Sequence, residues 1–184
     1  SFPTRRSSDL LKRIEAYDDQ GPKINAVLTL NARALETARA LDAERKAKGP
    51  RSPLHGIPVV LKDNIDSVGL PCTGGSIFLA GNQPAADAFI VRRLREAGAI
   101  ILAKVNLGDF ASDATGRSSL GGQTRNPHAL KYTPAGSSGG RPAGRRTSCS
   151  CPSPTRCSRR RSSTAPSSRS APTRCTICAS SGKT

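Results

Sequence analysis

The sequence predicts an α/β fold for residues 11–140, and two observations support this. Short apolar runs alternate in this stretch with segments that have helical spacing, and strand–helix–strand alternation is typical of α/β domains. No internal repeat is visible in the 184 residues, which argues against a repeat array. We therefore expect a sheet flanked by helices, in a chain whose length normally forms one domain.

The first predicted elements are a helix, a strand and a second helix. Residues 10–17 carry apolar side chains at helical spacing, and residues 24–30 are rich in β-branched and apolar side chains, as strands are. Residues 32–48 are rich in Ala, Leu, Glu, Arg and Lys, which favour helices. Asn31 precedes this stretch and is a candidate N-terminal cap.

Two more strands and one more helix follow along the chain. The apolar run of residues 54–61 predicts a buried strand that ends at Lys62. Residues 87–97 predict a helix capped by Asp87, and residues 99–105 predict a second buried strand. The apolar face expected of that helix consists of Phe89, Ile90, Leu94 and Ala97.

Two places in this fold could carry chemistry. Lys62 stands at the end of an apolar strand, where loss of water disfavours the ammonium and makes a neutral amine available as a base. Ser137 and Ser138 stand among glycines, on a backbone with unusual conformational freedom and open amide N–H groups. Each pattern also has an ordinary explanation, because most lysines after strands are solvated and most Gly/Ser runs are flexible loops.

A series of residue blocks, taken in order, resembles the amidase signature family. The blocks cover most of residues 11–140. They are Leu54-His-Gly-Ile-Pro58, Lys62-Asp-Asn-Ile65, Gly69-Leu-Pro71 with Thr73 and Ser76, Asp87-Ala88, residues 91–98, Ala103-Lys-Val-Asn106, Phe110-Ala111, Gly121-Gly-Gln-Thr-Arg-Asn-Pro127 and Gly136-Ser-Ser-Gly-Gly140. The resemblance implies a mixed sheet flanked by helices, incomplete in this chain, and an activity that cleaves the C–N bond of a carboxylic amide.

The resemblance also implies roles for individual residues in a Ser–Ser–Lys mechanism. Lys62 would be the neutral base, and Ser137, next to a cis peptide bond, would pass a proton between Lys62 and a second, nucleophilic serine. Gly136 and Ser138 would bind the substrate, a small-molecule amide. This relay needs no metal and no organic cofactor. Between the branches of the family we favour a general amidase over the transamidation branch.

The sequence departs from the family pattern after Gly140. The family places the nucleophile roughly two dozen residues past the bridging serine, in a glycine-rich loop that also forms the oxyanion hole. Ser162 and Ser163 lie near that distance, but no Gly-Gly pair precedes them. We therefore predict that the chain as written does not turn over an amide.

Both ends of the chain differ from residues 11–140. Residues 141–184 hold ten Lys and Arg, no Asp or Glu, and a single large apolar residue, Ile177, which is too little to bury a core. We interpret this tail as out-of-frame or chimeric and disordered; a genuine Arg/Ser tail that binds RNA is the alternative. Residues 1–10 back-translate to a string that resembles a sequencing adapter, and we interpret them as a non-native leader.

The charge distribution bears on possible partners. The net charge is +16, which invites a nucleic-acid interpretation, but +10 of it lies in the tail and only +5 on residues 11–140. Aromatic residues make up 3%, too few for a groove that stacks bases. Because most of the charge lies in the tail, the alternative function is nucleic-acid binding by a globular head with a basic tail. No apolar run approaches the roughly 18 residues of a membrane helix and no signal peptide is visible, so we expect no membrane partner and a cytoplasmic location.

Overall fold

The computed structural model describes residues 2–139, in which three strands form a mixed sheet. The strands are β1 (Val27–Leu30), β2 (Pro58–Lys62) and β3 (Ile100–Val105), in the order β1–β3–β2. β3 pairs with β1 in the antiparallel and with β2 in the parallel direction. Helices pack on this sheet, so the predicted α/β class with a mixed sheet is confirmed.

The central strand β3 is buried on both faces. Its even-numbered residues Ile100 and Leu102 belong to one apolar cluster, whereas Ile101 belongs to another. Alternate side chains of a strand point to opposite faces of the sheet, and all six residues of β3 are buried. The core therefore has two layers, one on each side of the sheet.

Two helices form the first layer. α2 (Ala34–Lys48) buries Ala34, Ala38 and Leu41, which recur at helical spacing on one face, against β3. α1 (Phe2–Ile14) packs beside it and continues as a π-helical turn at Glu15–Asp19. α1 begins eight residues before the predicted start, so it includes most of the segment that we interpret as a non-native leader.

Helix α3 (Phe89–Glu96) forms the second layer with a face that differs from our prediction. Val91 is fully buried against Leu61, Leu70 and Ile101, and Leu94 packs partly against them. Phe89 and Ile90, which we placed on the buried face, are 68% and 53% exposed. The predicted face is therefore wrong at Phe89 and Ile90, because the helix packs on the sheet through Val91.

The predicted starts of three elements, α3, β1 and β2, are wrong for local reasons. Asp87 does not cap α3, because its carboxylate accepts from the amide of Val68 and pairs with Arg95 instead. β1 begins only at Val27, since Lys23 and Asn25 adopt positive φ angles, which strands do not tolerate. β2 begins only at Pro58, because backbone bonds from His55 to Ser52 and from Ile57 to Leu54 close turns before it.

A short hairpin completes the described part of the chain. It consists of β4 (Arg117–Ser118) and β5 (Gly122–Gln123). The buried side chain of Asn106, just after β3, donates to Thr124 Oγ1 and to the carbonyl of Gly122. This anchors the hairpin to the end of the central strand. Among residues 2–139, no helix combines the length and the apolar character that crossing a bilayer requires.

Candidate active site

Lys62 is the last residue of β2, as the sequence predicts. It stands opposite Val105 in the parallel ladder and is partly buried. Its Nζ lies 2.8 Å from Oγ of Ser137, a residue 75 positions further along the chain. This distance is typical of a strong hydrogen bond, so the amine and the hydroxyl can exchange a proton directly.

Ser137 is held in place by its backbone. The peptide bond between Gly136 and Ser137 is cis, as the family resemblance implies. The carbonyl oxygen of Ser137 accepts from the amide of Gly108, at 3.3 Å. The serine is partly buried, and Ser138 beside it is buried to a similar extent. The loop is therefore tied to the segment that follows β3.

Residues 136–139, the serine loop, pack closely against residues 114–116, the neighbouring loop. A Cβ on Gly136 would lie 2.7–2.9 Å from the backbone atoms of Ala114, which is closer than real Cβ contacts allow. A Cβ on Gly139 would lie 2.8 Å from the Cα of Gly116. The glycines flanking Ser137 and Ser138 therefore let two stretches of main chain touch.

The neighbouring loop is shaped by Asp113. Its Oδ1 accepts from the amides of Thr115, at 2.8 Å, and Gly116, at 3.2 Å. A carboxylate that accepts from amides two and three positions on closes a tight local turn. This turn presents Ala114 and Gly116 to the serine loop.

A buried ion pair lies beneath the lysine. The carboxylate of Asp63, the residue after Lys62, lies 3.2 Å from Lys104 Nζ, and both side chains are almost completely buried. Lys104 also donates to the carbonyl oxygens of Ile65 and Pro71, each at 2.8 Å. Asp63 Oδ2 accepts from the amide and the hydroxyl of Thr73. These bonds fasten the loop after β2 to the central strand.

Cys72 lies in the same buried region. Burial, followed by a hydrogen bond with Asp66, raises the pKa of its thiol from 9.0 to about 11. The sulfur donates to the carbonyl oxygen of Asp63, at 3.4 Å. A thiol so far from ionisation is a poor nucleophile at neutral pH, so we interpret Cys72 as an ordinary structural thiol.

The structure thus brings two of the predicted site residues together. Lys62 and Ser137 are in contact, and Gly136 and Ser138 flank that contact. Ser162 and Ser163, the serines nearest to the expected nucleophile position, lie outside the described residues, as do the cysteines of the tail. Within residues 2–139, no group of three or more His, Cys, Asp or Glu side chains is arranged to hold a metal ion.

Sequence reasoning gave no role to three residues that shape this site. They are Asp63, Lys104 and Asp113. Asp63 and Lys104 stand inside blocks that carry the family resemblance, and a lysine within an otherwise apolar strand is a visible signal. Asp113 stands in a turn-rich loop, where the sequence offers no comparable signal.

Comparison with known proteins gives a family match. The family model for Amidase matches residues 8–143. One subunit of the glutamyl-tRNA(Gln) amidotransferase of Salinispora arenicola (strain CNS-205) is 45% identical over 131 residues, 71% of this chain and 26% of that protein. The corresponding protein of Nitratidesulfovibrio vulgaris (strain DP4) is 47% identical over 135 residues, 72% of this chain and 26% of that protein. The chain spans about a quarter of the length of these curated relatives.

Solved structures show the same relationship. The native peptide amidase from Stenotrophomonas maltophilia matches with a TM-score of 0.72 and 45% identity, over 75% of this chain and 29% of that chain. An amidase family protein from Bacillus anthracis str. Ames matches with a TM-score of 0.71 and 36% identity, over 75% of this chain and 28% of that chain. The similarity therefore extends to the fold as well as to the sequence.

Proposed function

Because the chain belongs to the amidase family, we propose that residues 11–140 are the N-terminal part of an enzyme that hydrolyses the C–N bond of a carboxylic amide. The observation that carries this proposal is the 2.8 Å contact between Lys62 Nζ and Ser137 Oγ. The fold brings the amine of Lys62 to the hydroxyl of Ser137, although the two residues are 75 positions apart, and this contact provides a proton path. Such paths activate serine nucleophiles.

The proposed reaction uses this path in both directions. A nucleophilic serine attacks the amide carbonyl carbon and gives its proton to Ser137, which gives its own proton to the neutral amine of Lys62. The proton then returns through Ser137 to the nitrogen of the leaving amine as the C–N bond breaks. Water attacks the resulting acyl-enzyme ester, and the acid product leaves. Gly136 and Ser138, next to the contact, are the proposed substrate-binding residues.

The nucleophile itself is not among the described residues. Residues 141–184 lack the glycine-rich segment that the family resemblance leads us to expect, and we propose that a frame change or a chimeric junction after Gly140 replaced it. Residues 1–10 are proposed to be a non-native leader on the ground of their back-translation. The chain as written is therefore expected to be inactive, with its lysine–serine pair intact.

Within the family, we propose a general amidase that acts on a small-molecule amide in the cytoplasm. The curated relatives are subunits of glutamyl-tRNA(Gln) amidotransferases, whereas a solved neighbour is a peptide amidase with 45% identity. Identity alone thus does not separate the branches. The comparisons lend no support to the alternative of a nucleic-acid-binding head and tail.

The test is to resequence the source DNA and to express the chain in the corrected frame. We expect a single-base correction after Gly140 to restore a Gly-Gly-Ser segment, and the corrected protein to hydrolyse a simple aryl or fatty amide. Lys62→Met and Ser137→Ala should each lower kcat/KM by at least about a hundredfold. Lys48→Met, which removes an exposed lysine of α2, is the matched control and should leave activity unchanged.

Two results would contradict the proposal. One is turnover by the chain as written that is lost in Lys62→Ala, because it would show that no further segment is needed. The other is a corrected enzyme whose activity survives Lys62→Met. If instead the frame is confirmed and the chain binds RNA with a steep salt dependence, the alternative function is favoured.

A further inference from the structure

Lys104 is a charged residue near the end of the central strand β3, and its side chain is fully buried. An ammonium is expensive to bury unless all its donors have partners. Its three partners are the carboxylate of Asp63 and the carbonyl oxygens of Ile65 and Pro71. All three belong to the stretch that begins directly after Lys62.

Asp63 has hydrogen bonds at its main chain and at one carboxylate oxygen. Its amide donates to the carbonyl of Val105, at 3.2 Å, and its carbonyl accepts from the amide of Gly74, at 3.1 Å. Its Oδ2 accepts from Thr73, whereas its Oδ1 accepts no hydrogen bond from the described residues and lies 3.2 Å from Lys104 Nζ as an ion pair. Asp63 is covalently joined to Lys62, so the direction in which the Lys62 side chain leaves the strand is set here.

The two lysines lie on opposite faces of the sheet. Lys104 stands opposite Leu61 in the ladder and Lys62 stands opposite Val105, and consecutive residues of a strand face opposite sides. The Asp63–Lys104 pair therefore does not reach the hydroxyl of Ser137. Any influence on the lysine–serine contact must pass through the main chain of β2 and the loop that follows it.

We propose that the buried Asp63–Lys104 pair positions Lys62, and that it keeps the Nζ of Lys62 within hydrogen-bond distance of Ser137 Oγ. This inference rests on the proposed function, because it assigns a purpose to the orientation of Lys62. Asp63 and Lys104 are positioning residues, since they touch neither the substrate nor the reacting atoms. Without the pair, the end of β2 keeps its ladder bonds, but the amine is no longer directed at the serine.

The experiment measures how strongly Lys62 and Ser137 are coupled. The protein expressed in the corrected frame is acetylated with acetic anhydride at one fixed pH, and the rate at each lysine is followed by peptide mass spectrometry. The variants are Ser137→Ala, Asp63→Asn and the double variant. Glu44→Gln, alone and with Ser137→Ala, is the matched control, since it breaks the surface ion pair with Arg51. Far-UV circular dichroism reports folding in each of these proteins.

In the parent chain and in Glu44→Gln, Ser137→Ala should raise the acetylation rate of Lys62 about fivefold, because the amine loses one hydrogen bond. In Asp63→Asn the same substitution should change the rate by less than about twofold, because the contact is already broken. Should Asp63→Asn lose the circular dichroism of the parent protein, the variant has unfolded and Thr73→Val replaces it. Thr73→Val removes one of the bonds to Asp63, so we expect it to reduce the effect of Ser137→Ala in part.

The two proposals can fail separately. In one outcome, Ser137→Ala raises the acetylation rate of Lys62 as much in the folded Asp63→Asn or Thr73→Val protein as in the parent. That result would overturn the positioning role and leave the proposed function standing. The absence of any effect in the parent chain would overturn the lysine–serine contact, and the positioning role with it.

Discussion

Gly136 has no room for a side chain, because its Cβ would lie 2.7–2.9 Å from the backbone of Ala114. We predict that Gly136→Ala lowers the free energy of unfolding by about 1–3 kcal/mol, the usual cost of forcing an extra carbon into a packed site. Urea unfolding of the protein expressed in the corrected frame measures this. Gly81→Ala is the control, since nothing lies within 4 Å of its Cβ position, and it should change stability by less than about 0.5 kcal/mol. Equal effects at both glycines would show that the two loops do not touch.

Asp18 gives a pH dependence whose sign can be worked out. Its carboxylate accepts from the amides of Ala26, at 2.7 Å, and Val27, at 2.9 Å. Burial raises the pKa of Asp18 above its ordinary value of 3.8, against the lowering effect of those two amides. The folded state therefore binds the proton more tightly than the unfolded state, and this group's contribution to stability falls as the pH rises from 3.8 through the higher, folded pKa.

The corresponding test compares the parent protein with Asp18→Asn, which cannot ionise, and both are expressed in the corrected frame. The difference in the free energy of unfolding should shift in favour of Asp18→Asn as the pH rises above 3.8. Urea unfolding at several pH values supplies the difference, in which the other titrating groups cancel. A difference that shifts in favour of the parent chain as the pH rises would mean that the folded pKa is lowered instead.

At the scale of elements, α3 offers a direct comparison between two apolar residues that are neighbours in sequence. Val91 is fully buried, whereas Ile90 is 53% exposed. We predict that Val91→Ala costs about 2 kcal/mol of stability, through lost burial and the cavity left behind. Ile90→Ala, although it removes more atoms, should cost less than about 1 kcal/mol. A larger loss of stability in Ile90→Ala than in Val91→Ala would show that α3 buries the face predicted from the sequence.

The kinds of element could be predicted from the sequence better than their limits. Apolar runs and helix-forming stretches place three helices and three strands in the right order, because these patterns reflect burial directly. The start of β1 was not predicted, since Lys23 and Asn25 adopt positive φ angles in a turn whose amides bond back to the carbonyls of Gln20 and Asp18. The hairpin of β4 and β5 is also absent from the prediction, because two-residue strands leave no periodic signal.

The site was predictable only through the resemblance. Lys62 at a strand end and Ser137 among glycines are weak signals taken singly, and nothing in their spacing of 75 positions says that they meet. The supporting residues Lys104 and Asp63 depend on a register between β2 and β3 that includes an irregularity between Val59 and Val60. A strand register with such an irregularity cannot be predicted from the alternation of residues in the sequence.

The described part of the whole molecule leaves much apolar surface uncovered. Phe78 is 91% exposed, and Val60 and Leu30 on the sheet's outer strands are each 41% exposed. Exposed apolar patches and unpaired strand edges favour association. We predict that the chain, expressed alone, is poorly soluble and does not melt sharply as a monomer. Size-exclusion chromatography with thermal unfolding checks this, and a soluble monomer with a sharp, cooperative transition would contradict it.

The proposed activity depends on one pair of side chains. The most direct test is a crystal structure of the protein expressed in the corrected frame, in which the distance between Lys62 Nζ and Ser137 Oγ is measured. We predict a hydrogen bond close to the 2.8 Å found here, with the hydroxyl of a further serine within hydrogen-bond distance of Ser137. A lysine amine and a serine hydroxyl more than about 5 Å apart, beyond hydrogen-bond reach, would contradict the proton path and the function built on it.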